Sequence, residues 1–406
     1  MKVVNTRIIQ APASKSYLQR ALAIALLAKG KTVLHNISWC NDSITVKNLI
    51  TELGAEIFEE NQDIIIQSTG LNEIGNSFSA KESGLALRMF APILALSGGK
   101  ILFSAEGTLK SRPVGFLEKS LEQLGVSITS NNGFPPLTIK QKLKAGKITI
   151  DGSVSSQLLT GLLIALPLVD SDSEITVEDL KSIPYIDMTM SIIRHFGVEI
   201  TQRDYQQFFI KGNQAYHPAE YTIEGDWSSA AFLLVAGALT GKATVKNLFR
   251  NSLQADRKIL DVLKMAGAEV LIQDNIVGIR RKNLQAFSFD ATHCPDLFPP
   301  LVALAVNCNG TSTIKGVSRL KYKESNRSAA LKTELSKIGI TIEINNDLMK
   351  ITGGKITGGT VDSQNDHRIA MIAGVLNLVS ENEIIIKNKE AVNKSYPNFF
   401  VDLNKM

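Results

Sequence analysis

Between residues 147 and 212 the hydrophobic period of the chain changes several times. Residues 147–152 (KITIDG) alternate polar and β-branched side chains, the period-two pattern of a half-buried strand. Residues 155–169 (SSQLLTGLLIALPLV) are apolar nearly all round and predict a buried helix. Residues 173–179 (SEITVED) read as a second strand, and residues 184–197 (PYIDMTMSIIRHFG) as an amphipathic helix. Pro184 suits its first turn and Gly197 the left-handed position past its end. Residues 198–212 then form a hairpin, so the segment is a βαβαββ unit with one buried and one half-exposed helix.

The same pattern recurs about every 70 residues. Six buried-helix runs open near Ser14, Ser83, Ser155, Ser228, Asp296 and Asp366, with gaps of 69, 72, 73, 68 and 70 residues. Five second helices end at Gly54, Gly125, Gly197, Gly267 and Gly339, spaced 71, 72, 70 and 72. A fixed period of this length indicates copies of one supersecondary unit. The sixth copy runs out at Met406, before its hairpin, while an unassigned strand (MKVVNTRIIQ) leads into Ser14. The expectation is that this N-terminal strand completes the last unit. The fold class is therefore α/β: two similar domains of three units each with a ligand cleft between them, residues 14–224 forming one and residues 1–13 plus 225–406 the other.

Composition narrows the partners. A net charge of +5 over 406 residues suits small anions, and without a run of five or six Lys/Arg it gives no case for nucleic acid. The longest apolar stretch, 158–169, is far shorter than the roughly 18 residues of a membrane span. Three scattered cysteines suggest neither a disulfide framework nor a zinc site, and the N-terminus has no signal-peptide core. A cytoplasmic protein without membrane, metal or cofactor is expected.

The chemistry is expected where the copies differ. Helix N-termini present free N–H groups and the positive end of a dipole, so polar residues there either cap the helix or bind anions. Copy one opens with Lys15, Ser16 and Arg20, and the dipole disfavours the two cations, Lys15 and Arg20, unless an anion is near. Copy two has Gly84, Arg88 and Arg112; copy three has Ser153, Ser155, Ser156 and Gln157; copy four has Asp226–Ser229, consistent with plain capping. Copy five carries Asp296 and the run Lys321–Arg327, which reads equally as acid/base groups beside an anion clamp or as a solvated helix start. Copy six carries Asp366-His367-Arg368 and Lys394. If these helix ends face one another, they make an electropositive site for multiply charged small molecules. No nucleotide-binding glycine loop, HExxH or GxSxG occurs.

Four segments together resemble the EPSP synthase (3-phosphoshikimate 1-carboxyvinyltransferase) family: Pro12-Ala13-Ser14-Lys15-Ser16 with Arg20, Asp151–Gln157, Lys323-Glu324-Ser325-Asn326-Arg327, and Asn365-Asp366-His367-Arg368. The resemblance runs along the whole chain. It implies transfer of the enolpyruvyl group of phosphoenolpyruvate (PEP) to the 5-hydroxyl of shikimate 3-phosphate, without metal or cofactor. By matched position, Asp296 is implied as the base on the hydroxyl, and Glu324, assisted by Lys15, as the proton donor to the PEP methylene. Lys15, Gly84, Arg112, Gln157, Arg327, Arg368 and Lys394 are implied at PEP. Lys15, Ser16, Arg20, Ser155, Ser156, Gln157, Ser182, Tyr185, Asp296 and Lys323 are implied at shikimate 3-phosphate. A monomer is expected. The chain departs from the family pattern at Glu82-Ser83-Gly84-Leu85, Arg319 and Asn326.

The related UDP-N-acetylglucosamine enolpyruvyl transferases typically carry a cysteine before their Arg-Pro-Val motif; here residues 106–114 read EGTLKSRPV. A repeat-type binding scaffold without catalysis would explain the period, but not the unequal charges at equivalent helix starts.

Overall fold

A computed structural model describes residues 8–71, 75–153 and 155–406. The first seven residues of the expected N-terminal strand, and Val154 of the third-copy motif, lie outside that set. The chain forms two compact units, Lys15–Ile223 and residues 8–14 with Glu224–Met406.

Each copy contributes two helices. In the N-terminal unit these are α1 (Lys15–Leu27) and α2 (Asn41–Glu52), α3 (Gly84–Ala95) and α4 (Phe116–Glu122), α5 (Gln157–Ala165) and α6 (Ile183–His195). In the C-terminal unit they are α7 (Trp227–Thr240) and α8 (Ile259–Met265), α9 (Phe298–Val306) and α10 (Arg327–Ser336), α11 (His367–Asn377) and α12 (Phe399–Leu403). The odd-numbered helices are buried nearly all round, as their apolar composition requires. Gly161 permits the close packing of α5 on α3, since a Cβ there would lie 2.4 Å from the Met89 carbonyl oxygen. The five repeat glycines all adopt positive φ, from 75° to 100°, so each terminates its helix in the left-handed region.

Five four-stranded sheets share one plan among the described residues: two parallel strands, then an antiparallel hairpin whose second strand lies next to them. In the third copy Lys147–Asp151 runs parallel to Ser173–Glu178, with Ile148 opposite Ile175, and the hairpin Ile200–Arg203/Gln207–Ile210 follows. The sixth sheet has two strands, Gly359–Asp362 and Ile384–Lys387.

The N-terminal strand does not complete that sixth sheet. Ile8–Gln10 pairs in parallel with Lys242–Lys246 in the fourth sheet, with Ile9 opposite Val245. The fourth copy needs this strand because its own leading strand, Glu220–Thr222, remains paired with Gly30–His35 in the first sheet. The two segments at which the chain passes between units have thus exchanged places, each sheet taking its edge strand from the other end of the repeat.

The helix openings also shift in detail. Ser83 and Asp366 cap α3 and α11 as read, through Ala86 N and Arg368 N. The cap of α5 is Ser156 rather than Ser155, and that of α7 is Asp226, two residues before Ser228. Asp296 sits in a 3₁₀ turn, Pro295–Leu297, ahead of α9. Three prolines (Pro295, Pro299, Pro300) lack N–H groups where a helix leaves its donors unpaired, so this end needs little capping.

Candidate active site

In the N-terminal unit, Arg20 lies one turn into α1 and points inward. Its Nε donates to Thr189 Oγ1 at 2.8 Å, Nη2 to Thr160 Oγ1 at 3.3 Å, and Nη1 to the Ser16 carbonyl at 2.9 Å. Only 2% of the residue is exposed. Burial lowers its pKa to about 10, against an upward pull from Tyr185 and Tyr17, so it remains charged at neutral pH. Among the described residues no carboxylate is one of its partners. A buried guanidinium served only by hydroxyls and a carbonyl has unspent charge, the condition for receiving a phosphate.

Lys15, in the first turn of α1, has Nζ 2.8 Å from Asp42 Oδ2 at the start of α2. Arg112 lies across the first residue of α3: a Cβ at Gly84 would come within 2.7 Å of Arg112 Nη1 and 3.0 Å of Cζ. Glycine is what lets the guanidinium sit at this helix end. The 3₁₀ turn Gly107–Ser111 delivers Arg112, ahead of α4 rather than inside it, and Glu82 braces that turn by accepting the Thr108 N–H at 2.9 Å. The Glu82 departure is therefore a support for Arg112. Gln157 accepts from Arg88 Nη1 at 2.8 Å, and Ser155 Oγ accepts the Gln157 N–H at 3.1 Å. Gln157 is thus grouped with Arg88 and not with Arg20. Ser156 is buried at its cap, and Ser182, at φ 59°, turns the chain into α6, whose first turn holds Tyr185.

In the C-terminal unit the predicted groups converge on Arg327, the first residue of α10, which is fully buried. Nη1 donates to Asp296 Oδ1 at 2.9 Å and Nη2 to Glu324 Oε2 at 2.6 Å. Asp366 receives Nε at 2.9 Å and Nη2 at 3.1 Å, and also accepts from Ser325 Oγ at 3.0 Å while capping α11. One planar fork holds three carboxylates in fixed positions. Arg368 Nη2 and Lys323 Nζ each stand 3.3 Å from Asp296 oxygens. Burial alone would raise the Asp296 pKa, but Arg368, Lys323 and Arg327 hold it well below the usual carboxylate range. Burial pulls the Lys323 ammonium below its ordinary value, with Arg327 and Arg319 adding to the effect. Lys394 is buried at the end of the 3₁₀ turn Lys389–Lys394.

The run 321–326 precedes α10 rather than forming its first turn, and Asn326 caps that helix through Ala329 N. Asparagine thus retains the capping role at that departure. Glu324, Asp366 and His367 place ligand atoms within 4.8 Å of one another, but both carboxylates already bind Arg327, the cation of this cluster. Sequence reasoning took Asp366 for a cap and missed its hold on Arg327. It also missed Asp42, Thr160 and Thr189. The hydroxyls had a signal, each interrupting an apolar helical face; Asp42 had none beyond its place in a first turn.

Two solved EPSP synthase structures from Acinetobacter baumannii share this fold. They superpose with TM-scores of 0.83 and 0.80 at 23% identity, covering 98% of this chain and 95% of those. The class is thus that of the two-unit βαβαββ repeat proteins. Residues 3–403 match the EPSP synthase (3-phosphoshikimate 1-carboxyvinyltransferase) family. Proteins named 3-phosphoshikimate 1-carboxyvinyltransferase from Clostridium novyi (36% identical, covering 98% of this chain and 94% of that protein) and Haemophilus influenzae (35%, 98% and 96%) are similar throughout. The chain belongs to the EPSP synthase family, enzymes of enolpyruvyl transfer to shikimate 3-phosphate in aromatic amino-acid biosynthesis. Among the described residues no helix is long and apolar enough to cross a membrane.

Proposed function

We propose that this chain joins PEP to the 5-hydroxyl of shikimate 3-phosphate with Asp296 as base and Glu324, aided by Lys15, as acid. Asp296 takes the hydroxyl proton as the oxygen bonds C2 of PEP, and C3 receives a proton from Glu324. The tetrahedral adduct then regains the enol ether as the C3 methyl returns a proton to the Glu324 carboxylate and the bond from C2 to the phosphate oxygen breaks, releasing inorganic phosphate. Arg112, Arg327, Arg368 and Lys394, with Gly84 and Gln157, serve PEP. Ser16, Arg20, Ser155, Ser156, Gln157, Ser182, Tyr185 and Lys323 serve the shikimate ester. The protein acts as a cytoplasmic monomer without metal or cofactor.

The single observation that carries the reading is the shared fork, Arg327 at 2.9 Å from Asp296 and 2.6 Å from Glu324. Two carboxylates with opposite tasks are held at one distance by a cation that cannot move a proton itself. Without substrate, Asp296 is too weak a base, because the nearby cations stabilise its charge. Anionic substrates that engage Arg368 and Lys323 would offset those cations and raise its proton affinity. Activation thus depends on occupancy.

The test is phosphate release from PEP with shikimate 3-phosphate, run beside UDP-N-acetylglucosamine and a Glu324→Gln variant. Release with the shikimate ester alone, falling by about 10²–10⁴ in the variant, is expected. Release with the nucleotide sugar, or undiminished release from Glu324→Gln, would defeat the assignment.

A further inference from the structure

Glu334 has no part in the proposed chemistry, yet it is a carboxylate only 3% exposed, in the last turn of α10. It stands seven residues after Arg327, two turns along the same helix face. Its Oε2 accepts the Asp362 N–H at 2.8 Å and Lys337 Nζ at 2.6 Å, and its Oε1 accepts Gln364 Nε2 at 3.1 Å. Burial would raise its pKa, but Lys337, the Asp362 N–H and Gln364 hold it below the usual carboxylate range. Both oxygens are therefore acceptors at neutral pH. Helix α10 thus grips the segment ahead of α11 at two points, Glu334 at residues 362–364 and Arg327 at Asp366.

The backbone between those points is strained. Gln364 and Asn365 have φ of 51° and 56°, in the left-handed region where a Cβ is crowded. Asparagine tolerates that region; glutamine has no such advantage, and it is the glutamine whose side chain Glu334 holds. Asp362 Oδ1 accepts the Gln364 N–H at 2.8 Å, and Ser363 Oγ accepts the Asn365 N–H at 3.2 Å. The turn also reaches sideways. Asn388 Nδ2 donates to Asp362 Oδ1 at 3.1 Å, and Ser363 Oγ donates to the Asn388 carbonyl at 2.9 Å. Asn388 opens the 3₁₀ turn that ends at Lys394. In the other direction the segment leads into Asp366, whose Oδ1 accepts the Arg368 N–H at 3.0 Å. Three of the residues proposed for PEP, Arg327, Arg368 and Lys394, are therefore joined through residues 362–366.

We propose that Glu334 is a positioning residue: by clamping the left-handed turn at 362–365 it sets where Arg368 and Lys394 stand, and so the affinity for PEP, without touching substrate. The proposal rests on the functional reading above. Reach is what matters, because one head group must serve both the Asp362 N–H and the Gln364 amide. Glu334→Asp keeps the charge but withdraws the carboxylate by one methylene. Glu334→Gln loses the charge but keeps the length and an oxygen for the Asp362 N–H. The Gln364 amide can then turn its own oxygen toward the new NH₂ group.

The test compares the full chain with both variants at saturating shikimate 3-phosphate. KM for PEP should rise about tenfold in Glu334→Asp, with kcat less affected, and stay within about twofold of the parent in Glu334→Gln. A residue needed only for folding would lower the amount of active protein, and with it apparent kcat, but leave KM unmoved. The rise in Tm on adding PEP should shrink in Glu334→Asp alone, and amide hydrogen exchange at 362–368 and 388–394 should quicken in that variant alone. Equal KM in all three proteins would overturn the proposal. So would a KM raised as much in Glu334→Gln as in Glu334→Asp, which would make charge the cause rather than reach. Absence of phosphate release from the parent defeats the reaction proposed above. The PEP-dependent Tm and the exchange rates still decide this point, and parental values for either in Glu334→Asp would overturn it. Should Glu334→Asp fail to fold, Gln364→Gly removes the held side chain while relieving the left-handed backbone. KM for PEP should then rise by a similar factor without loss of Tm, and an unmoved KM would overturn the proposal.

Discussion

The two units each bury an arginine completely, and they use it in opposite ways. Arg20 is surrounded by two threonine hydroxyls and a carbonyl oxygen, and its pKa falls to about 10. Arg327 grips Asp296, Glu324 and Asp366, and these carboxylates outweigh its burial and hold its proton more firmly than usual. Burial penalises both charges equally in kind. In the C-terminal unit the folded protein itself compensates the penalty; in the N-terminal unit compensation is left for a ligand. Arg327 is therefore part of the framework that fixes Asp296 and Glu324, the proposed base and acid, while Arg20 is proposed to receive a ligand anion.

The comparison breaks most visibly at Arg327. Replacing it with methionine leaves the buried Asp366 and the partly buried Asp296 and Glu324 without their shared cation, a change that costs about 3–5 kcal/mol where a buried partner is removed. Denaturant unfolding of Arg327→Met should show that loss together with loss of turnover. An unchanged midpoint would mean that the three acids are not held in place by this residue.

Arg20→Met should do the reverse. A buried cation without a carboxylate contributes little to folding, so stability should stay within about 1 kcal/mol of the parent or rise. Affinity for shikimate 3-phosphate should instead fall by about 2–3 kcal/mol, roughly 30- to 150-fold, as charge-assisted bonds to phosphate disappear. A large stability loss with intact affinity would make Arg20 a second framework residue and erase the distinction between the units.

How much of this could be read from residues alone follows the same divide. The repeat was legible because each copy must bury one helix, and five of the six end their second helix on a glycine in the left-handed region. What periodicity could not tell was which sheet an edge strand joins. Ile8–Gln10 and Glu220–Thr222 are both three-residue strands whose central residue, Ile9 or Tyr221, is the least exposed, and either satisfies a parallel neighbour. In the site, Lys323, Glu324 and Arg327 were visible as a dense charged run, and Asp296 and Arg368 as charges at helix starts. Their union was not, because it depends on which helix end each side chain reaches. Thr160 and Thr189 lie on helices of the same copy, but their common role appears only once Arg20 of another copy reaches between them.

The smallest expected effect is at Gly84, where the comparison turns from charge to shape. Arg112, like Arg20, belongs to the N-terminal unit, and its guanidinium lies across a helix start where Gly84 carries no side chain to obstruct it. In Gly84→Ala the new methyl group would meet the guanidinium at 2.7 Å, so the tip of a flexible side chain must move aside by several tenths of an ångström. The helix itself should gain slightly, since alanine is the better helix former by up to about 1 kcal/mol. Stability should thus hold or rise while KM for PEP increases by about tenfold, with kcat less affected, because the displaced cation contributes chiefly to binding. Unchanged KM would mean that Arg112 reaches PEP from another rotamer, and that glycine at this helix start serves the backbone alone.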